Sequence, residues 1–315
     1  MRRLKSLVTL VIALVAFAQT HSQVPGRLNL ISGEHVFSLT KDFLAAAPKR
    51  YIGSPGHTAA ENFIKSHFAP EIAHGQFETD EFHPSTPIGQ VTMRNYIVRY
   101  PGKPASGKQD GVIVLASHYE TNYPLKDIGF VGANDGACTT ALLIAIGEYL
   151  RAHPPEGYSI WLVFDDGEEA IKSWSAADSL YGTRHLAARW SGDGTLKKIK
   201  AFLVADMIGD KDLNILEETQ CTPWLRALMR QAAADTRHSQ YVYKTSAAED
   251  DDHLPFLTRG VPSLDIIDVD YGPRTAHAPD GYHHTAQDTI DKISGKSLQI
   301  SADLFMQMIR LINQR

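Results

Sequence analysis

Residues 159–170 read SIWLVFDDGEEA: a mostly apolar run passes directly into a loop that carries Asp165, Asp166, Glu168 and Glu169. A short run of β-forming residues bounded by a glycine turn reads as a strand. Taken alone, an acidic stretch usually faces water. The position of this one, directly after a strand that should be buried, points it toward a function instead.

Four more runs share the pattern, at 95–99, 112–117, 201–205 and 263–267. Helical patterns occupy 58–68, 139–153 and 298–313. In the last, Leu298, Ala302, Phe305, Ile309 and Ile312 recur at spacings of four and three, the stripe a helix needs to dock on a sheet. The alternation predicts an α/β fold, a single domain over 28–315 with a mostly parallel, twisted central sheet flanked by helices. No segment resembles an interdomain linker. The stretch 271–282, rich in Gly, Pro and His, is expected to be a long functional loop.

The composition of the 315 residues, 43% hydrophobic and 21% charged, suits a folded chain and argues against disorder. The formal net charge is -5 and no Lys/Arg cluster marks a nucleic-acid surface. Arg2, Arg3 and Lys5 precede an apolar run at 7–18 that is shorter than the roughly 20 residues needed to span a bilayer. Ala16-Phe17-Ala18 then leads into a polar segment. Residues 1–18 therefore read as a signal peptide cleaved after Ala18, giving an exported protein, periplasmic or secreted, without stable membrane insertion. A retained membrane anchor is the alternative. Cys138 and Cys221 are the two cysteines, too few for a disulfide scaffold or a thiolate zinc site. Whether they pair is open at this level.

In an open parallel sheet, ligands bind beyond the carboxyl ends of the strands. His118 follows the run at 112–117, Glu168 and Glu169 follow 159–164, and Asp206 follows 201–205. His283 and His284 come after the last strand, and Asp135 sits in a GANDGA turn ahead of a helix. Imidazoles and carboxylates without a thiolate match Zn2+ with an open position for catalysis. Adjacent glutamates suit such a centre, because one can ligate the ion while its neighbour moves a proton beside the reacting atom. The acids of EDDDH, 249–253, read instead as an exposed turn complementing the dipole of a helix that starts near Leu254. That reading leaves Asp250 and Asp252 outside the candidate site.

The blocks GEEA…W…DSLYGTRHLA at 167–187, DDHLPFLTRGVP at 251–262 and HHT at 283–285 resemble glutaminyl-peptide cyclotransferases, zinc enzymes whose fold is shared with two-zinc aminopeptidases. The likeness extends through RYIGSPG at 50–56, TPIG at 86–89, SHYET at 117–121, GANDGA at 132–137 and DMIG at 206–209. It implies zinc held by Asp135, Glu169 and His284, Glu168 as general acid and base, and Asp206 and Asp251 completing an acidic network around the substrate. It also implies that Trp174 walls the substrate pocket. His283 stands where many cyclases carry a tryptophan, Asp265 where the animal enzymes carry a histidine, and Ser117 where they carry a disulfide cysteine.

The activity implied is zinc-dependent cyclisation of the N-terminal glutamine of peptides and proteins to pyroglutamate, with release of ammonia. The alternative is an exported aminopeptidase in which His118 and Asp206 hold a second ion beside the first. Glu120 argues against it, replacing the aspartate usual two residues after the first histidine ligand. A metal-free binding ectodomain is a third reading, disfavoured because every ligand type is retained.

Overall fold

The computed structural model describes residues 28–103, 110–276 and 278–315. The expected signal peptide, 1–18, lies outside the described residues. Among those described, no helix is long and apolar enough to cross a membrane.

Six strands form the central sheet: β1 (Phe77–Phe82), β2 (Met93–Tyr100), β3 (Val112–His118), β4 (Ser159–Asp165), β5 (Ile199–Asp206) and β6 (Ser263–Ile267). Their spatial order is β1-β2-β4-β3-β5-β6. β4, β3, β5 and β6 pair in parallel, whereas β1 and β2 join antiparallel at one side. All five expected strands lie inside observed ones. β1 was not expected, because FETDEF places Glu78, Asp80 and Glu81 where an apolar alternation would be needed. An edge strand tolerates those charges, which also discourage pairing with another chain.

Every residue of β3 and of β6 is buried, which is why these strands read as continuous apolar runs. Their side chains alternate between two cores. Ile113 and Leu115 point to the larger one, built with Phe43 of α1 (Gly33–Ala46), Leu142 of α3 (Cys138–Ala152), Leu225 of α5 (Pro223–Asp235) and Phe305 of α6 (Gly295–Gln314). Val114 points to the opposite face, where Trp190 of α4 (Tyr181–Gly192) packs with Phe202 and Phe256. Residues 298–313 dock as their stripe requires. Residues 53–56, GSPG, lead into α2 (Pro55–His67), with the Ser54 hydroxyl accepting from the His57 amide at 2.9 Å. A serine cap of this kind contributes about 1 kcal/mol. Cys138 and Cys221 are both buried and unpaired.

Candidate active site

β3 delivers His118 at its last position, and Thr121 and Asn122 follow on the loop beyond. Past the end of β4, Gly167 takes φ +79, and a Cβ there would come within 2.7 Å of Met93 Sδ. The turn brings Glu168 and Glu169 over the sheet edge. It is closed by the amides of Leu180 and Tyr181, which donate to the carbonyls of Glu168 and Gly167 at 2.8 and 2.7 Å.

Asp135 sits in a kinked turn before α3, with Gly132 and Gly136 at positive φ. A Cβ on Gly136 would stand 2.9 Å from His118 Cε1, so glycine there lets the turn close on the imidazole. Asp288 accepts from the amides of Asn134 and Asp135 at 2.8 and 3.2 Å and from the Tyr271 hydroxyl at 2.6 Å. From the other side, the buried Arg50 guanidinium donates to the carbonyls of Tyr119, Val131 and Gly132 at 2.8, 2.7 and 3.0 Å. Both supports fix the backbone and leave the Asp135 carboxylate free to face the cleft.

That carboxylate is the centre of the site. Its Oδ1 lies 3.2 Å from His118 Nε2, which is also 3.4 Å from Asp206 Oδ1. Its Oδ2 lies 3.5 Å from His284 Nε2 and 3.9 Å from His283 Nε2. His284 Nε2 is in turn 3.0 Å from Glu169 Oε1, whose partner oxygen accepts from Asn122 Nδ2 at 2.6 Å. The Glu169 amide donates to Glu120 Oε1 at 3.1 Å. His118, Asp135 and Asp206 thus form one group of convergent donors, and Asp135, His283 and His284 another.

Several of these atoms are buried without a well-aligned hydrogen bond: both nitrogens of His118, Asp135 Oδ2 and Asp206 Oδ1. Buried polar atoms are normally satisfied, so His118 Nε2 with Asp206 Oδ1 on one side of Asp135, and Asp135 Oδ2 facing His284 on the other, are donors of the kind a cation would complete. Nitrogen and carboxylate oxygen donors with no thiolate fit zinc. The charges agree. Burial opposes protonation of His284, yet Glu169 and Asp135 push it up to about 9. Burial also opposes ionisation of Asp135, but His118 and the other imidazoles hold it below the ordinary range. Burial raises Glu120 to about 7 despite His118.

Burial, and then the charge of Glu169, pushes Glu168 well above the usual glutamate value. Behind it, Asp251 and Asp265 are buried together, and both are raised by burial and by neighbouring carboxylates. Glu168, Asp251, His283 and Trp174 share the lining of a cleft of ≈ 650 Å³ with Asp135, Glu169, Asp206 and His284. Trp174 is 42% exposed, a wall of the cleft and not a core residue. Arg274 and Asp280 bring the 271–282 loop to the same cleft.

Residues 95–309 match peptidase family M28. The glutaminyl-peptide cyclotransferase of Drosophila melanogaster is 30% identical over 258 residues, covering 73% of this chain and 70% of the relative. That of Boiga irregularis is 31% identical over 288 residues, covering 80% and 76%. The chain belongs to peptidase family M28, among the glutaminyl-peptide cyclotransferases. Acidobacteriales bacterium glutaminyl cyclase, a crystal structure 66% identical in sequence, superposes with a TM-score of 0.89 and covers 98% of this chain and 100% of that one. A Zn-dependent exopeptidase from Parabacteroides distasonis, 20% identical with a TM-score of 0.74, covers 93% and 100% and shares the fold.

In this M28 chain every residue singled out from the sequence reaches the cleft or its floor. Both exclusions are corrected. Asp252 is buried, not exposed, because the Thr183 hydroxyl of α4 meets its carboxylate and Asp165 lies behind it. Asp250 is exposed, as expected, but it lines the cleft beside Asp251 and so is not outside the site. Four contributors escaped the sequence reading: Arg50, Asn122, Asp178 and Asp288. Arg50, Asn122 and Asp288 act on groups distant in sequence, of which a local pattern carries no trace, whereas Asp178 acts on backbone amides of its own loop, which have no residue-type signature.

Among the described residues, two other donor clusters lie outside the cleft. In His57, Glu61 and Asp166 the groups satisfy one another and Arg94. In Glu218, Cys221 and His253, Glu218 already caps the amides of Gln220 and Cys221.

Proposed function

We propose that this chain is a zinc-dependent enzyme that converts the N-terminal glutamine of peptides and proteins to pyroglutamate. The observation that carries the reading is a buried carboxylate, Glu168, in a cleft walled by Trp174, where Glu169 Oε1 and the unpartnered Asp135 Oδ2 both face His284 Nε2. Asp135, Glu169 and His284 would hold the ion. When bound, zinc supplies Lewis acidity toward the γ-carbonyl oxygen of the glutamine.

This chain's residues do the remaining work. Carboxylates dominate the cleft lining and attract a cationic peptide amino terminus. Trp174 and His283 wall the pocket that would take up the glutamine side chain, and attack by the substrate's own α-nitrogen on its γ-carbonyl carbon is intramolecular, an advantage that can be large. Glu168 takes a proton from the α-amine as the new C–N bond forms. It returns that proton to the amide nitrogen as the old C–N bond breaks, and ammonia leaves. Asp251, with Asp265 behind it, holds Glu168 in a dry acidic surround. No water enters the stoichiometry, so enclosure favours cyclisation over hydrolysis.

The grouping of His118, Asp135 and Asp206 supports a second reading, an aminopeptidase in which His118 and Asp206 would hold a second ion alongside Asp135. Two substrates separate the readings. Ammonia released from a Gln-initiated peptide supports cyclisation, and release of the N-terminal residue itself supports hydrolysis. Metal analysis of the same preparation counts the ions. Glu168→Gln should lower kcat by about a hundredfold or more while zinc stays bound. Undiminished turnover by that variant would remove Glu168 from the mechanism. Export rests on residues 1–18 and is checked by sequencing the N-terminus of the processed chain.

A further inference from the structure

The loop between β4 and α4 carries Glu168, Glu169 and Trp174. We propose that Asp178, further along the same loop, is a positioning residue that clamps the segment before Trp174 and so sets substrate affinity without touching substrate. The substrate named here rests on the cyclisation reading.

One carboxylate gathers four donors. Asp178 Oδ1 accepts from the Ile171 amide at 2.9 Å and from the Tyr181 hydroxyl at 2.8 Å. Oδ2 accepts from the amides of Lys172 and Ser173 at 2.9 and 3.0 Å. Three successive amides on one carboxylate form an anion nest within the chain itself. The return path is also closed: the Asp178 amide donates to the Ser175 carbonyl and Oγ at 3.0 and 3.1 Å, and Ser179 Oγ donates to the Ser175 carbonyl at 2.8 Å.

The clamp has a fixed end and a free end. Ile171 and Tyr181 pack with Ile52, Phe82 and Met93 in a buried cluster, so that side is bolted to the fold. The last clamped amide, Ser173, lies one residue before Trp174. Among the described residues, no hydrogen bond or ring contact holds the Trp174 side chain itself. Its place over the cleft is therefore inherited from the backbone that Asp178 fixes. Burial opposes the charge on Asp178, but these donors hold its carboxyl below the ordinary aspartate range. The bonds are thus of the stronger, charge-assisted kind.

Asparagine is nearly isosteric, but it replaces one acceptor oxygen by an NH2 group that would point its hydrogens at backbone N–H groups. Asp178→Asn should loosen the loop and leave the sheet and ion ligands in place. A wall that contacts ground state and transition state alike affects KM more than kcat. The experiment compares wild type, Asp178→Asn, Trp174→Ala and the double variant, using a Gln-initiated peptide, zinc content and tryptophan emission. Asp178→Asn should raise KM by about tenfold, as for a lost contact of about 1.4 kcal/mol, with kcat within about threefold and zinc unchanged. Its emission should change, and the double variant should be no worse than Trp174→Ala alone.

Unchanged KM, effects that multiply in the double variant, or loss of zinc would each overturn the proposal. Tyr181→Phe removes one donor and tests the same clamp if Asp178→Asn fails to fold. It should raise KM by about two- to threefold, and an unchanged KM there counts against the clamp. If wild type releases no ammonia, the cyclisation reading falls by itself. The emission comparison then still decides the clamp, since emission identical to wild type in Asp178→Asn would overturn it whatever the reaction.

Discussion

At the scale of single residues, Arg50 organises a site that it does not enter. It is fully buried, and burial lowers its guanidinium to about 10 even though Asp135, Asp288 and Glu120 favour the charge. Its donors go to carbonyls on the two loops that flank the cleft, so it ties the loop after β3 to the turn that bears Asp135. Arg50→Met keeps much of the volume but leaves those carbonyls without donors. It should cost about 3 kcal/mol or more in denaturant unfolding and weaken zinc retention. A variant as stable as wild type with its zinc intact would show that the loops hold themselves. Neither Arg50 nor Asp252 was legible locally. RYIGSPG shows only turn chemistry, and the neighbours of Asp252 at Thr183 and Asp165 become visible only when the chain is folded. The candidates that were legible, His118, Glu168, Glu169 and Asp206, share a different property: each follows an apolar run, so its direction is set by the strand before it.

At the scale of elements, the packing of α2 against the loop after β4 depends on one buried pair. His57 Nε2 lies 2.8 Å from Asp166 Oδ1, and the other Asp166 oxygen accepts from the Arg94 amide at 2.8 Å. Burial acts to lower the His57 pKa, but the attraction of Asp166 outweighs it and the net shift is upward from 6.5. A group with a raised folded value contributes stability that is fully present below its unfolded value, and the contribution is lost as pH rises through the folded value. The stability difference between wild type and His57→Asn should therefore be largest below about pH 6.5 and shrink as pH rises above it. Thermal unfolding over that range checks it; a difference that grows with pH would mean the imidazole is neutral in the fold. Helix placement was legible because periodicity and serine caps are local signals. β1 was not, since its partner strand and its exposed edge, not its own apolar content, make it a strand.

For the whole molecule, parallel strand ends bring distant residues to one edge of the sheet, which is why the reading of SIWLVFDDGEEA could be extended to the other strands. The rule found the residues rooted on strands. Asp135, His283 and His284 ride on loops, and their assembly became definite only through the turn held by Asp288 and Arg50. The acidity of the finished cleft bears on what reaches it, including the chain's own terminus. Cleavage after Ala18, the boundary expected from the sequence, would leave Gln19 as the first residue, a member of the proposed substrate class. The processed chain should then cyclise its own N-terminus between molecules. Its intact mass should be lower than that of the uncyclised chain by one ammonia, and conversion should slow on dilution. Glu168→Gln, produced in a host without another cyclase, should retain Gln19 beyond the spontaneous background. An unmodified Gln19 on an active, correctly cleaved wild-type chain would show that the cleft does not accept this terminus.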